Sequence, residues 1–285
     1  MKDRRADPLA TDPISSPLRA ICRLVAFSLL TLATLPVQIV AHRLDRPLAR
    51  RLPLLYHRTC CRIFGFEVRT VGQIATARPA LFVSNHISYM DIAIFGSIVE
   101  ASFIAKAEIA GWPLFGLLAR LQSTVFVERV GRYVAEQKET IAGRLQAGDR
   151  LILFPEGTSD DGQRVLPFKS ALFSVAGIEK EGTPLTIQPV SIAYTHLDGI
   201  PLQRALRPEF AWYGDMEMAP HLFRMLGIGV LSAVVIFHEP ISGDRFPTRK
   251  ALADYCYRTV VAGVDAANSG RPARSAPAGT VSANS

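Results

Sequence analysis

Ala80-Leu81-Phe82-Val83-Ser84-Asn85-His86-Ile87-Ser88-Tyr89-Met90-Asp91 is the stretch on which the fold turns. It opens as a short apolar run of strand length, then places a histidine directly after it and an aspartate five positions later. Inside one regular helix those two side chains would stand ~140° apart, at ~100° per residue. They can meet only if His86 lies in a strand-to-helix turn and Asp91 in the first helical turn. A paired His86 and Asp91 therefore requires strand, turn and helix in that order, the repeating unit of an α/β layer fold.

The rest of the chain supplies more such units. β-rich or apolar runs occur at 66–71, 80–84, 102–105, 124–127, 151–154, 185–194 and 230–237. Helical patterns lie between them, as at 131–146, where Val134, Ile141 and Leu145 recur at helical spacing before Gly148-Asp149 closes the segment. The expectation is α/β, a mixed central sheet flanked by helices, occupying residues 65–265. No internal repeat is visible.

Upstream, Leu24 to Ala41 is an 18-residue run without a charge, bordered by Arg19 and Arg23 before and His42, Arg43, Arg46, Arg50 and Arg51 after. As a helix it would measure ~27 Å, slightly short of a ~30 Å hydrocarbon core. Basic residues on both flanks give no crossing direction, and Pro36 offers a kink. An anchor that dips into one leaflet fits this pattern; a signal peptide without a tidy cleavage site and a buried core helix are the other two readings. Residues 47–64 bring Leu48, Leu52, Leu55 and Ile63 near one helical face, with Arg51, Arg58 and Arg62 beside it, an arrangement suited to a membrane surface or to the protein's own core. Pro53 interrupts or starts that helix. Residues 18–64 are thus read as two membrane-associating helices, 1–17 as a mobile tail, and the small, polar segment 266–285 as disordered.

Composition agrees. The 285 residues carry 32 Lys+Arg against 25 Asp+Glu, a net charge of +7, yet 49% are hydrophobic and the mean hydropathy is +0.20. Such an excess suits nucleic acid, acidic lipid or an acidic carrier protein, and the apolar N-terminus selects lipid over nucleic acid. Cys22, Cys60, Cys61 and Cys256 show no paired or metal-ligand spacing, which fits a reducing compartment.

In the turn, Asp91 can fix the tautomer of His86 and stabilise the imidazolium formed when the other ring nitrogen takes a proton. No nucleophile accompanies the pair, so it suits deprotonation of a hydroxyl brought by a substrate; a histidine bonded structurally at a strand end is the alternative. Nucleophile elbows, Walker loops, zinc-protease helices and dinucleotide fingerprints are missing from the sequence. Ser88 is a remote candidate nucleophile. The strand 151–154 leads into Pro155-Glu156-Gly157-Thr158, where Gly157 allows close backbone approach, Thr158 offers a hydroxyl and Glu156 can position a cation or a substrate hydroxyl.

At these residues the chain resembles the glycerolipid acyltransferase family. Asn85 to Asp91 matches its H-x4-D block, and Lys106-Ala107-Glu108 with Trp112 to Gly116 resembles the approach to its second block. Thr124 to Arg129 is similar to that second block, Phe154 to Thr158 to the third and Ile187 to Val190 to the fourth, all in family order. The resemblance implies direct acyl transfer from an acyl carrier protein or coenzyme A thioester to a lysolipid hydroxyl, with neither metal nor cofactor. It makes His86 the base and Asp91 its orienting partner, and assigns Arg129, Glu156, Gly157, Thr158 and Lys169 to the acceptor's headgroup. It also implies lysophosphatidic acid as first acceptor, at the cytoplasmic face of a bacterial inner membrane.

Two departures stand out. Ser159-Asp160-Asp161 follows Thr158 where phosphatidate-forming members often carry an arginine, and Ser170-Ala171 follows Lys169 where a further lysine and glycine are common. Each missing cation would cost phosphate binding ~1–3 kcal/mol per charged hydrogen bond. Ala211 to Met216 and Pro220-His221-Leu222 resemble members that acylate lyso-ornithine lipid, which makes that lipid the second acceptor. A non-catalytic membrane-binding protein working through Arg43–Arg62 is the reading from another class.

Overall fold

A computed structural model describes residues 14–44, 46–127, 134–180 and 182–271. Arg129, most of the N-terminal tail (1–13) and most of the C-terminal tail (272–285) lie outside the described residues. Beside two two-residue strands paired off it, the main path of the sheet holds seven strands among the described residues: β1 Phe66–Val71, β2 Ala80–Ser84, β3 Ser102–Lys106, β4 Val125–Val127, β5 Arg150–Leu153, β6 Thr186–Leu197 and β7 Leu231–Phe237. They lie in the order β1-β7-β6-β2-β5-β3-β4. β6, β2, β5, β3 and β4 run parallel, while β7 is antiparallel to β6 and parallel to β1, so the sheet is mixed.

The pleat explains why the inner strands are apolar throughout. On β2, Phe82 points into a core shared with Ile152 and Phe95, whereas Leu81 and Val83 point into a second core with Leu151, Leu153 and Leu145. A strand covered on both faces needs apolar residues at both parities. The helices that cover it are α2 Arg46–Phe64 and α3 Met90–Ile98 against the first core, α5 Val134–Gln146 and α7 Arg249–Asn268 against the second, with α4 Phe115–Leu121 and α6 Met218–Gly227 at the margins. α7 starts where the Thr248 hydroxyl accepts a hydrogen bond from the Ala251 N–H at 3.1 Å.

The apolar N-terminal run belongs to a longer helix, α1 Pro17–Leu44, 28 residues that would extend ~42 Å. Neither Pro36 in α1 nor Pro53 in α2 ends its helix. α1 is long and apolar enough to cross a membrane, but one side of it packs on the protein. Phe27 meets Phe64 at a ring distance of 5.3 Å, and Thr31 shares a 2.9 Å hydrogen bond with Tyr56 of α2. Arg23 donates to the carbonyls of Leu226, Ile228 and Gly229 at 3.1, 2.7 and 3.3 Å, satisfying groups freed at the end of α6. The other side exposes Leu18, Ile21, Val25, Leu29 and Leu32 at three- and four-residue spacing, with Leu24, Val37, Val40 and Leu44 also open to solvent. On α2, Leu48 and Leu55 are exposed while His57, Cys60, Cys61 and Phe64 are buried, so this helix serves both surfaces.

Candidate active site

Parallel pairing of β2 with β5 sets Val83 beside Leu153. The residues that leave the two strands, Asn85-His86 and Phe154-Pro155-Glu156, therefore emerge side by side at the carboxyl edge of the sheet, where α/β folds bind ligands. Asn85 is buried and pins its turn to β6, donating to Ile192 O and accepting from Ile192 N, both at 2.9 Å.

His86 and Asp91 meet as the turn geometry demands: Nδ1 of the imidazole lies 2.8 Å from Asp91 Oδ2. The same oxygen accepts the N–H of Ile87 at 2.7 Å and of Ser88 at 3.1 Å, while Oδ1 accepts the hydroxyl of Tyr194 at 2.7 Å. A carboxylate with no exposed surface is costly unless its lone pairs are used, and these contacts use them. Its place in the first turn of α3 adds the favourable end of the helix dipole. Burial, then the charge of Asp91, holds the Tyr194 phenol well above its ordinary pKa, so it remains a donor. The imidazole stacks on Phe154 at 4.2 Å and 17°, and Phe154 is backed by Phe103 and Phe95. With 20% of its side chain exposed and Nδ1 engaged, His86 has Nε2 left for a substrate.

Glu156 differs from the sequence expectation. It is buried, and rather than facing a ligand its Oε1 accepts the backbone N–H of His86 at 2.7 Å and its Oε2 that of Leu166 at 2.8 Å. Burial pushes it up to about 8, against the pull of those two N–H groups. It ties the two loops of the site together. Gly157 has φ +69°, and a Cβ there would come 2.7 Å from Lys169 Nζ, so the glycine makes room for the exposed lysine. Lys169 is held by its own N–H on Pro155 O at 2.9 Å. Thr158 is exposed and its hydroxyl turns locally to Ser159 O. His86, Glu156, Gly157, Thr158 and Lys169 thus gather on two adjoining loops, with Asp91 reaching them from the first turn of α3; Arg129 is outside the described residues.

Tyr194 lies outside every block that the sequence marks, while Asn85 and Phe154 fall inside such blocks with no role of their own. Tyr194 sits in an apolar strand run, and a hydroxyl at full burial is the only hint it offers. A third loop closes in from residues 211–213: Trp212 N donates to Ile87 O at 3.2 Å, and the Ser159 hydroxyl bonds Trp212 O. Trp212 packs edge-on against Tyr89 and Trp112, and Tyr89 shares a 2.8 Å hydrogen bond with His221 Nδ1. Among the described residues no His, Cys, Asp and Glu cluster has metal-binding geometry.

Residues 65–193 match the family model described as Acyltransferase. The chain is 44% identical to a lyso-ornithine lipid O-acyltransferase of Brucella abortus, across 83% of this chain and 90% of that protein. It is 32% identical to a 1-acyl-sn-glycerol-3-phosphate acyltransferase of Neisseria gonorrhoeae, across 65% and 69%. Its fold is similar to the crystal structure of the 1-acyl-sn-glycerophosphate acyltransferase PlsC from Thermotoga maritima, with a TM-score of 0.61 at 24% identity, across 87% of this chain and 95% of that one.

Proposed function

Because this chain belongs to the glycerolipid acyltransferase family, we propose that His86 is the general base with which it acylates a lysolipid hydroxyl, and that Asp91 orients and steadies that base. The observation that carries this reading is the 2.8 Å bond from Nδ1 to a buried carboxylate. His86 Nε2 takes the acceptor's proton as its oxygen bonds to the thioester carbonyl carbon. The C–S bond then breaks, and the departing thiolate receives the proton from the imidazolium. The thioester supplies the driving force, so the reaction uses no metal or further cofactor. The donor is an acyl carrier protein or coenzyme A thioester. Lys169 and Thr158 bind the acceptor's headgroup, a role the resemblance also gives to Arg129, while Glu156 acts as a positioning residue.

The proposed acceptor is lyso-ornithine lipid. It is supported by the 44% identity to an enzyme of that name and by Ser159, Asp160 and Asp161, which set no cation beside Thr158. Asp160 instead pairs with Arg164 at 3.3 Å. Lysophosphatidic acid is the second reading, favoured by Lys169 at the Gly157 turn and by the Neisseria relative. The protein is membrane-associated through α1, and we place it on the cytoplasmic face of a bacterial inner membrane, where thioester donors reside.

The test is purified chain in lipid vesicles, given labelled acyl-carrier-protein and coenzyme A thioesters with both lysolipids side by side. Faster label transfer to lyso-ornithine lipid is expected. Transfer to lysophosphatidic acid alone exchanges the acceptor, and transfer to neither overturns the reading.

A further inference from the structure

The opposite edge of the sheet holds a second polar site. Where β5 and β3 begin, Arg78, Arg144 and Arg150 line a cavity of about 260 Å³, which Arg50 of α2 completes from above. Two carboxylates face these four guanidiniums. Asp149 pairs with Arg50 at 3.1 Å and also with Arg144, and Glu100 pairs with Arg78 at 3.0 Å. Arg150 forms no ion pair among the described residues; it donates to the Glu100 carbonyl at 3.0 Å and, at 3.5 Å, to that of Ala75. Burial and the neighbouring Arg78 hold its guanidinium below its ordinary pKa. Two positive charges are therefore left over inside one concavity, more than the single negative charge of a lipid phosphodiester requires, and guanidiniums can donate to both of its free oxygens.

The location indicates where such an anion would come from. His42 and Arg50, both exposed, line the cavity next to the corner at which α1 ends and α2 begins. There Val40, Leu44 and Leu48 are 55, 82 and 41% exposed. A lipid seated at that corner would find exposed apolar side chains for its acyl chains and, past the helix ends, arginines for its phosphate. The active site leaves from the far ends of β2 and β5, so this cavity is separate from the acceptor pocket.

We infer that the Arg50–Arg78–Arg144–Arg150 cavity binds a phosphate group, carried by an anionic membrane phospholipid seated at the α1–α2 corner. The inference does not depend on which lysolipid is acylated.

The experiment compares full-length protein with two variants that each lose two arginines: Arg50→Gln/Arg150→Gln in the cavity and Arg43→Gln/Arg51→Gln outside it. Binding is measured to phosphatidylcholine vesicles with and without phosphatidylglycerol, and by calorimetry to inorganic phosphate. Thermal melting is followed for each variant, and the single variant Arg50→Gln covers a double variant that does not fold. A diffuse charge effect weakens both pairs alike, whereas a built site makes the cavity pair lose at least about tenfold more of its preference for anionic vesicles. Equal losses overturn the inference. Phosphate binding that the cavity variant abolishes, with no vesicle preference in the parent protein, assigns the site to free phosphate and overturns the lipid source.

Discussion

At the carboxyl edge of the sheet one buried carboxylate collects four hydrogen bonds, from His86, Ile87, Ser88 and Tyr194. At the amino edge four arginines share two carboxylates around an open cavity. Both edges are polar, but at the second the arginines, though hydrogen-bonded to the protein, outnumber their carboxylate partners four to two. A closed network fixes one imidazole in one orientation, which suits a group that must move a proton repeatedly. An unbalanced one has capacity left for a ligand. The contrast suggests where substitutions will hurt the chemistry and where they will touch only binding.

The largest effect is expected at His86. His86→Ala should lower the rate of label transfer from a thioester by ~10²–10⁴-fold and leave vesicle binding intact; a variant that keeps its rate would take the chemistry away from this edge. Asp91→Asn comes next, because the amide sets N–H donors among donors. It should cost a comparable ~10²–10⁴-fold in kcat and also ~3–5 kcal/mol of unfolding free energy. A lower melting temperature with an unchanged kcat would leave Asp91 a purely structural role. Tyr194→Phe removes one donor from the same carboxylate and should cost ~1–3 kcal/mol in urea unfolding, with a smaller change in rate.

Glu156 sharpens the comparison through pH. Its ordinary value of 4.5 is raised to about 8 by burial, so the fold favours its neutral form. The resulting stability is complete below pH 4.5 and declines as pH rises through about 8. Glu156→Gln should flatten that decline between pH 4.5 and about 8 in a series of melting curves; an identical slope would mean another group controls it. The acid side belongs to His57, His221 and His238, each lowered to about 4 by burial, whose stabilisation is lost as pH falls from 6.5 through 4. The smallest effect is expected at the amino edge. Arg50 is 52% exposed, so Arg50→Gln should change unfolding free energy by under ~1 kcal/mol. A loss as large as that at Asp91 would erase the contrast between the edges.

Much of this was legible in the chain. The apolar runs at 66–71 and 80–84 coincide with β1 and β2, and the other five main strands differ from their runs by a residue or a few at either end. His86 and Asp91 could be paired from spacing alone because strand–turn–helix geometry admits one solution. The motif marks Glu156 as a site residue but not the way it faces: local sequence cannot say that the N–H groups of His86 and Leu166 converge on it from 70 and 10 residues away. α1 was underestimated for a related reason. Arg19 and Arg23 read as flanking charges, yet Arg23 is helical and spends its donors on carbonyls at and just beyond the end of α6, some 203 to 206 residues later.

By itself the sequence determined the elements, their two-sided burial, the turn that carries the histidine and the apolar helix ahead of them all. These depend on contacts within a few residues, which periodicity records. The tertiary structure alone decided that Tyr194 reaches Asp91 across 103 positions, that Phe154 forms the floor under the imidazole, and that four scattered arginines close around one cavity. Those outcomes follow from strand order and register, which bring distant segments together and leave no periodic trace in any of them.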